Sequence, residues 1–176
     1  VKLSGSRVLV GFQYRFNPGL QKAAELLVSG ELGEVRSAQV HWGEFLPDWH
    51  PWEKDYRQSY SARADLGGGV VLTLCHPFDY LRWLLGEVET VSGSTRVSGE
   101  LAIDVDDEAE IDLQFARGAK AAVHLSYLER TAAHWLEIEC ANGKMHWDAS
   151  DSILTVTRNG KQQTYSPPDG FNRDQL

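Results

Sequence analysis

The segment LGGGVVLTLCHPFDYLRWLLG, residues 66–86, sets one imidazole and one carboxylate just behind three consecutive glycines. A histidine close to a helix N-terminus feels the positive end of the helix macrodipole, which disfavours its protonation. A neutral imidazole near pH 7 is what a general base requires. If a helix runs from the glycines, Thr73, His76, Asp79, Tyr80 and Trp83 share one face, and Val70, Leu74, Leu81 and Leu85 form the other. Such a helix lies between a core and something wet. Pro77 removes one helical hydrogen bond, so the alternative is a regular helix that starts at Pro77 with His76 beside its N-cap. The plainer reading of a lone helical histidine is a hydrogen-bonded structural residue. The glycines permit close backbone approach, but the chain has neither GxGxxG nor GxxxxGK[ST]. A metal set of His76, Asp79 and His50 lacks HExxH or paired-Cys spacing, so no metal site is expected.

The elements around this segment follow from periodicity. Residues 7–14, RVLVGFQY, are β-rich and predict a buried strand. Asn17-Pro18 is a capping residue followed by proline at the first helical position. Leu20, Ala23, Ala24, Leu26 and Leu27 keep the helical period, and Gly30 and Gly33 close it. A strand is predicted over 34–46. The stretch LPDWHPWEKDYRQSYSARADL, residues 46–66, has no clean period but several aromatic anchors, so it reads as an ordered loop laid over something. A helix is predicted over 69–85. Strands are then predicted at 87–98, 106–116, 119–128, 133–141, 144–148, 152–158 and 161–166. Arg117-Gly118, Asn142-Gly143 and Asn159-Gly160 mark hairpin turns. In DEAEIDLQF, Ala109, Ile111, Leu113 and Phe115 alternate with Glu108, Glu110, Asp112 and Gln114. That predicts an antiparallel, half-open sheet with one polar face. The expected class is α+β, with helices on one side of the sheet.

Composition narrows the partners. Of 176 residues, 42% are apolar and 24% charged, with a formal charge of −8 and scattered basic residues. A nucleic acid or an acidic membrane surface needs a clustered positive face, so neither is expected. No apolar run approaches the length of a membrane span. Cys75 and Cys140 each sit in an apolar stretch and read as reduced core residues, which fits a cytoplasmic setting. Val1 begins close to an apolar strand, and the final FNRDQL reads as the first turn of a helix. A piece of a longer protein is expected.

Together, VGFQYRFNP (10–18), the helix followed by GELGEV (30–35) and the segment 66–86 resemble the substrate-binding C-terminal domain of the glucose–fructose oxidoreductase/inositol dehydrogenase/MocA family. The likeness runs from about Val8 to the C-terminus, and LPDWHPWEKDYRQSYSARADLGGG looks like a branch acting on sugars or nucleotide-linked sugars. The resemblance implies a dihydrodipicolinate-reductase-like domain, largely an antiparallel open-faced sheet, over 15–176 and truncated before its final helix. Residues 1–14 would be the last strand of an N-terminal Rossmann domain otherwise missing from the chain. That domain would hold the NAD or NADP and most cofactor-binding residues, so no cofactor is expected on this chain alone, which should be inactive.

The resemblance further implies His76 as the base that takes a hydroxyl proton as hydride leaves the same carbon. Arg15 and Asn17 would line the inter-domain cleft. Arg57, Tyr60 and Arg63 could grip hydroxyls, a carboxylate or a phosphate, and Trp49 and Trp52 could either stack on a sugar ring or anchor the long loop. Thr73 and Asp79 join the substrate-binding set. The expected assembly is a homodimer or homotetramer through the open sheet. One departure stands out. Relatives carry an acidic residue three or four positions before the histidine, where this chain has Thr73 and Leu72, leaving Asp79 to orient the imidazole. Two other readings remain: a non-catalytic dimerising or sugar-binding module, and a metal-dependent sugar hydrolase or isomerase.

Overall fold

A computed structural model describes residues 4–50 and 52–171. Its first helix begins where the capping signal stands. Asn17 is fully buried, and its Oδ1 accepts from the backbone N–H of Gly19 at 3.0 Å and Leu20 at 3.4 Å. Pro18 follows, and helix α1 (Pro18–Ser29) ends at Gly30 in the left-handed conformation. Leu20 and Ala23 face the core, as the period requires.

The sheet has eight strands: β1 (Val35–Phe45), β2 (Val88–Arg96), β3 (Glu108–Phe115), β4 (Lys120–Ser126), β5 (Leu128–Cys140), β6 (Gly143–Asp148), β7 (Leu154–Arg158) and β8 (Lys161–Tyr165). Their spatial order is β2-β3-β4-β1-β5-β6-β7-β8. The last seven in sequence form a meander into which β1 is inserted, between β4 and β5. It runs antiparallel to β5 but parallel to β4, so the sheet is mostly and not wholly antiparallel. In β3 the alternation holds: Ala109, Leu113 and Phe115 are buried while Glu110, Asp112 and Gln114 are exposed.

Helix α1, a one-turn helix α2 (Val70–Thr73) and helix α3 (His76–Leu85) belong to the apolar side of the sheet. Trp147, Tyr80, Phe115, Leu20, Leu81 and Ile138 are almost wholly removed from water. Each such large apolar side chain stabilises the fold by about 1.5–3 kcal/mol. Among the described residues no helix is long and apolar enough to cross a membrane.

Three expectations change. The predicted strand over 7–14 does not form: residues 5–12 have no regular element and Gln13–Phe16 is a 3-10 helix. Val8, Leu9 and Val10 are 70%, 93% and 65% exposed, so the apolar residues that signalled a buried strand find no sheet edge to pair with here. The helix predicted over 69–85 is two helices, broken at Leu74 and Cys75. Finally, the turn assigned to Asn142-Gly143 lies one residue earlier, at Ala141-Asn142, because Gly143 already pairs with Cys140. The Asn159-Gly160 turn is as expected, both residues having positive φ. Of FNRDQL only Phe171 falls within the described residues, as do residues 4–14 of the predicted Rossmann remnant.

Candidate active site

His76 is the first residue of α3, with Pro77 directly after it, so the second of the two helical arrangements is the one adopted. Two of the three glycines serve the approach. At Gly68 a Cβ would stand 2.5 Å from the Tyr60 carbonyl oxygen, 2.7 Å from that of Ser61 and 2.8 Å from the Arg63 nitrogen. Gly69, at φ +112°, leads into α2, whose first N–H groups are satisfied by Asp106: its carbonyl accepts from Val70 N at 2.8 Å and its Oδ2 from Val71 N at 3.1 Å. Tyr127, buried, donates its hydroxyl to the Gly69 carbonyl at 2.9 Å. The loop is thus clamped onto the segment that delivers the imidazole.

The ring of His76 sits among aromatics. Its centroid is 5.1 Å from Tyr14, 5.8 Å from Trp42 and 6.2 Å from Phe12. Burial lowers its pKa below the ordinary 6.5, only partly opposed by the charge of Asp79. Its Nδ1 is buried and has no hydrogen-bond partner among the described residues. Trp49 Nε1, His50 Nδ1, Ser59 Oγ and Ser61 Oγ, all on the loop, share that condition.

Asp79 does not orient the imidazole by a hydrogen bond. It accepts two from Arg15, Nε to Oδ2 at 2.8 Å and a terminal nitrogen to Oδ1 at 2.6 Å. The structure therefore brings Arg15, Asp79 and His76 together, but as an ion pair beside an imidazole. Thr73 ends α2 one turn before His76 and brings no charge. Asn17 is spent on the fold. Besides capping α1 it accepts from Trp147 Nε1 at 3.0 Å and donates to Ser152 Oγ at 2.8 Å, which leaves a fully buried amide nothing to offer a substrate. Tyr80, assigned to the polar face with His76, is instead wholly buried, its hydroxyl 3.2 Å from His134 Nε2.

The loop is ordered as expected, through short 3-10 turns at Leu46–Asp48, Tyr56–Gln58, Tyr60–Ala62 and Ala64–Leu66. Its arginines are held locally. Arg57 bonds twice to Asp55 at 2.7 and 3.1 Å, and Arg63 twice to Asp65 at 2.9 and 2.6 Å. Trp49 packs edge-on against Tyr127, an anchoring role, whereas Trp52 and Tyr60 stay exposed. Sequence reasoning missed His134, whose ring stacks flat on Trp42 at 4.0 Å, and Tyr14, which touches both histidines. Tyr14 lies inside VGFQYRFNP and was within reach of the motif; His134 sits in an unremarkable part of the meander. His76, Asp79 and His50 form no metal set; among the described residues the group with ligand atoms within reach of one ion is His41, His124 and Glu129.

Residues 20–146 match the GFO/IDH/MocA C-terminal domain family, and the chain belongs to that family. It is 28% identical over 154 residues to an uncharacterised oxidoreductase of Synechocystis, covering 79% of this chain and 40% of that protein. It is 26% identical over 181 residues to the NADP-dependent D-xylose 1-dehydrogenase 2 of Haloferax volcanii, covering 97% of this chain and 52% of that one. Among solved structures, an inositol dehydrogenase homologue from Azotobacter vinelandii in complex with NAD+ superposes with TM-score 0.77 at 15% identity, over 91% of this chain and 43% of that one. The chain thus spans about half the length of the curated relatives it matches.

Proposed function

We propose that this chain is the substrate-binding half of an NAD(P)-dependent oxidoreductase that removes hydride from a sugar, polyol or nucleotide-sugar hydroxyl carbon. His76 is the base. The observation that carries the reading is a desolvated imidazole of lowered pKa at the start of α3, in a family-matched domain. An alcohol surrenders hydride readily only as its oxygen loses a proton, so a neutral imidazole within reach of that oxygen is the part this domain contributes. The dinucleotide, NAD or NADP, supplies the hydride acceptor when bound to a Rossmann domain. Residues 7–14, which expose Val8, Leu9 and Val10, are suited to completing that domain's sheet. Trp52 and Tyr60 are the aromatic surfaces available to a sugar ring, and Arg57 and Arg63 stand on the same loop. The enzyme works in the cytoplasm as a homodimer or homotetramer formed through the open sheet, and the chain alone is inactive.

The test is a screen of sugar and polyol oxidation with NAD+ and NADP+ on the full gene product containing this chain. Removal of a general base costs about 10²–10⁴-fold in rate, so His76→Ala should lower turnover by that range. Turnover unchanged by the substitution would sink the assignment. Saturable micromolar binding of NADH to the isolated chain would overturn the division of labour between the domains. The competing reading, a non-catalytic dimerising or sugar-binding module, is favoured by Arg15's hold on Asp79 and by Thr73. Both leave His76 without an orienting carboxylate.

A further inference from the structure

The polar face of the sheet, turned away from the helices, carries its own cluster of chemistry. In the parallel pair β1·β4, His41 and His124 stand directly opposite each other. Their rings stack with centroids 4.7 Å apart and 21° between planes. Trp135 on β5 lies almost parallel over His41 at 5.6 Å, fixing that ring from the other side.

Glu129 reaches both imidazoles. Near the start of β5 the ladder with β1 is interrupted between Gly43 and Phe45, and Glu129 folds back across Gly43. A Cβ at Gly43 would coincide with the Glu129 carboxyl group, so only glycine leaves that carboxylate its berth. One oxygen then lies 2.9 Å from His41 Nε2 and the other 3.3 Å from His124 Nε2. On the far side of the His124 ring, Glu110 of β3 places Oε1 2.5 Å from Nδ1.

One imidazole can present an N–H on one side and a lone pair on the other. With Glu110 on the Nδ1 side of His124, its Nε2 and that of His41 both turn to the Glu129 carboxylate, so ligand-type atoms of three side chains gather at one place. The carboxylate–histidine–metal relay is the usual way a ligating histidine is fixed in its tautomer. The dimensions fit. With metal–ligand bonds of about 2.0–2.1 Å, neighbouring ligand atoms lie about 2.9 Å apart at a right angle and about 3.4 Å apart at a tetrahedral one. The ligand atoms of His41, His124 and Glu129 all fall within 4.8 Å of one another. Side-chain exposures of 26%, 28% and 27% leave the cluster open to an ion and to a further ligand.

We propose that His41, His124 and Glu129 bind a divalent transition-metal ion of the zinc class on the open face of the sheet, with Glu110 holding the His124 tautomer. Two imidazoles and a carboxylate suit zinc or cobalt, while magnesium and calcium prefer all-oxygen sites. The site draws one ligand from each of three strands, with distant β1 inserted between the consecutive β4 and β5, and it does not depend on the role of His76.

The experiment is calorimetric titration of the chelator-stripped chain with zinc chloride, paralleled by the visible spectrum of the cobalt form. One ion per chain is expected, with a cobalt spectrum of nitrogen and oxygen ligation. His124→Ala and the near-isosteric Glu129→Gln should each abolish that stoichiometric event, the glutamine variant guarding against a folding defect. Glu110→Gln should weaken binding about 10–100-fold as an outer-shell partner. His146→Ala, a control on the same sheet face, should leave it intact. No saturable binding to the unsubstituted chain, or binding that survives both His124→Ala and Glu129→Gln, overturns the proposal.

Discussion

Arg15 and Asp79 are joined by a two-point guanidinium–carboxylate pair that ties the segment before α1 to the first turn of α3, across 64 residues of sequence. The Asp79 side chain is 8% exposed and that of Arg15 43%. This pair decides the electrostatics of the candidate base, because the carboxylate nearest to the imidazole in sequence already has a full positive partner. His76 is left with the desolvation of its aromatic surroundings as the dominant influence, and burial favours the neutral form.

Arg15→Ala should therefore do two things. It strands a nearly buried carboxylate, yet the arginine is substantially solvated. The cost lies between that of exposed and buried pairs, about 1–2 kcal/mol in a urea denaturation series. It also frees the charge of Asp79 to act on His76, so the imidazole pKa should rise. A proton NMR titration of the ring hydrogens reads this directly. A His76 pKa that stays put or falls in the variant would show that the two groups are uncoupled.

The pH dependence of stability has a definite sign at His76. Its folded pKa lies below 6.5, so between the two values the unfolded chain binds more protons than the folded one. The contribution is present in full above about pH 6.5 and is lost as pH falls from there through the folded pKa. Within that window one group changes stability by at most about 1.4 kcal/mol per pH unit. His76→Gln should flatten this part of the profile relative to the unsubstituted chain. Parallel profiles from pH 7 to 5 would show that the ring is not held neutral.

Local signals carried much of the fold, and the failures have physical causes. The β3 alternation and the Asn159-Gly160 turn were legible because each is a property of a few adjacent residues. Residues 7–14 look like a strand for the same reason, but a strand also needs a partner, and no local pattern reports whether one is there. The parallel β1·β4 pairing joins residues 37 and 120, a distance over which periodicity says nothing. The site divides in the same way. The place of His76 at a helix start was readable from its motif, whereas the capture of Asp79 by Arg15 depends on tertiary contact. So does the meeting of His41, His124 and Glu129. Asn17 was read both as a cap and as a cleft residue, and only its burial and four polar contacts separate the two.

That separation can be measured. Asn17→Ala removes the α1 cap and strands Trp147 Nε1 and Ser152 Oγ inside the core. A lost cap costs about 1 kcal/mol, and each of the two stranded buried polar groups adds about 1–3, so a loss of about 3–7 kcal/mol is expected. Asn17→Asp keeps the accepting oxygen toward Gly19, Leu20 and Trp147, and Ser152 can donate in place of the lost amide. Its cost should be well under half that of the alanine variant. Equal losses in the two variants, read by chemical denaturation, would mean that the capping oxygen is not what Asn17 contributes.

The glycines ahead of α2 give the sharpest contrast. Gly67 has φ +79° but open space where a Cβ would go, so Gly67→Ala pays only for a left-handed residue, about 1–2 kcal/mol. Gly68 has no positive φ to defend; its constraint is the loop backbone at 2.5–2.8 Å, which cannot yield as a side-chain tip could. In Gly68→Ala the turn at Tyr60–Ala62 must lift away, breaking the bonds from Gly68 N to the Arg63 carbonyl and from Gly69 N to the Ser61 carbonyl. Amide hydrogen exchange across residues 59–70 should therefore accelerate in Gly68→Ala and stay close to the unsubstituted rate in Gly67→Ala, even where the two lose similar global stability. Because α2 and the approach to α3 hang from this clamp, substrate binding at the site proposed around His76 should weaken in the first variant and not in the second. Equal exchange in both would mean that the loop is held by its aromatic anchors, Trp49 and Tyr56, and that the glycines serve only the local turn.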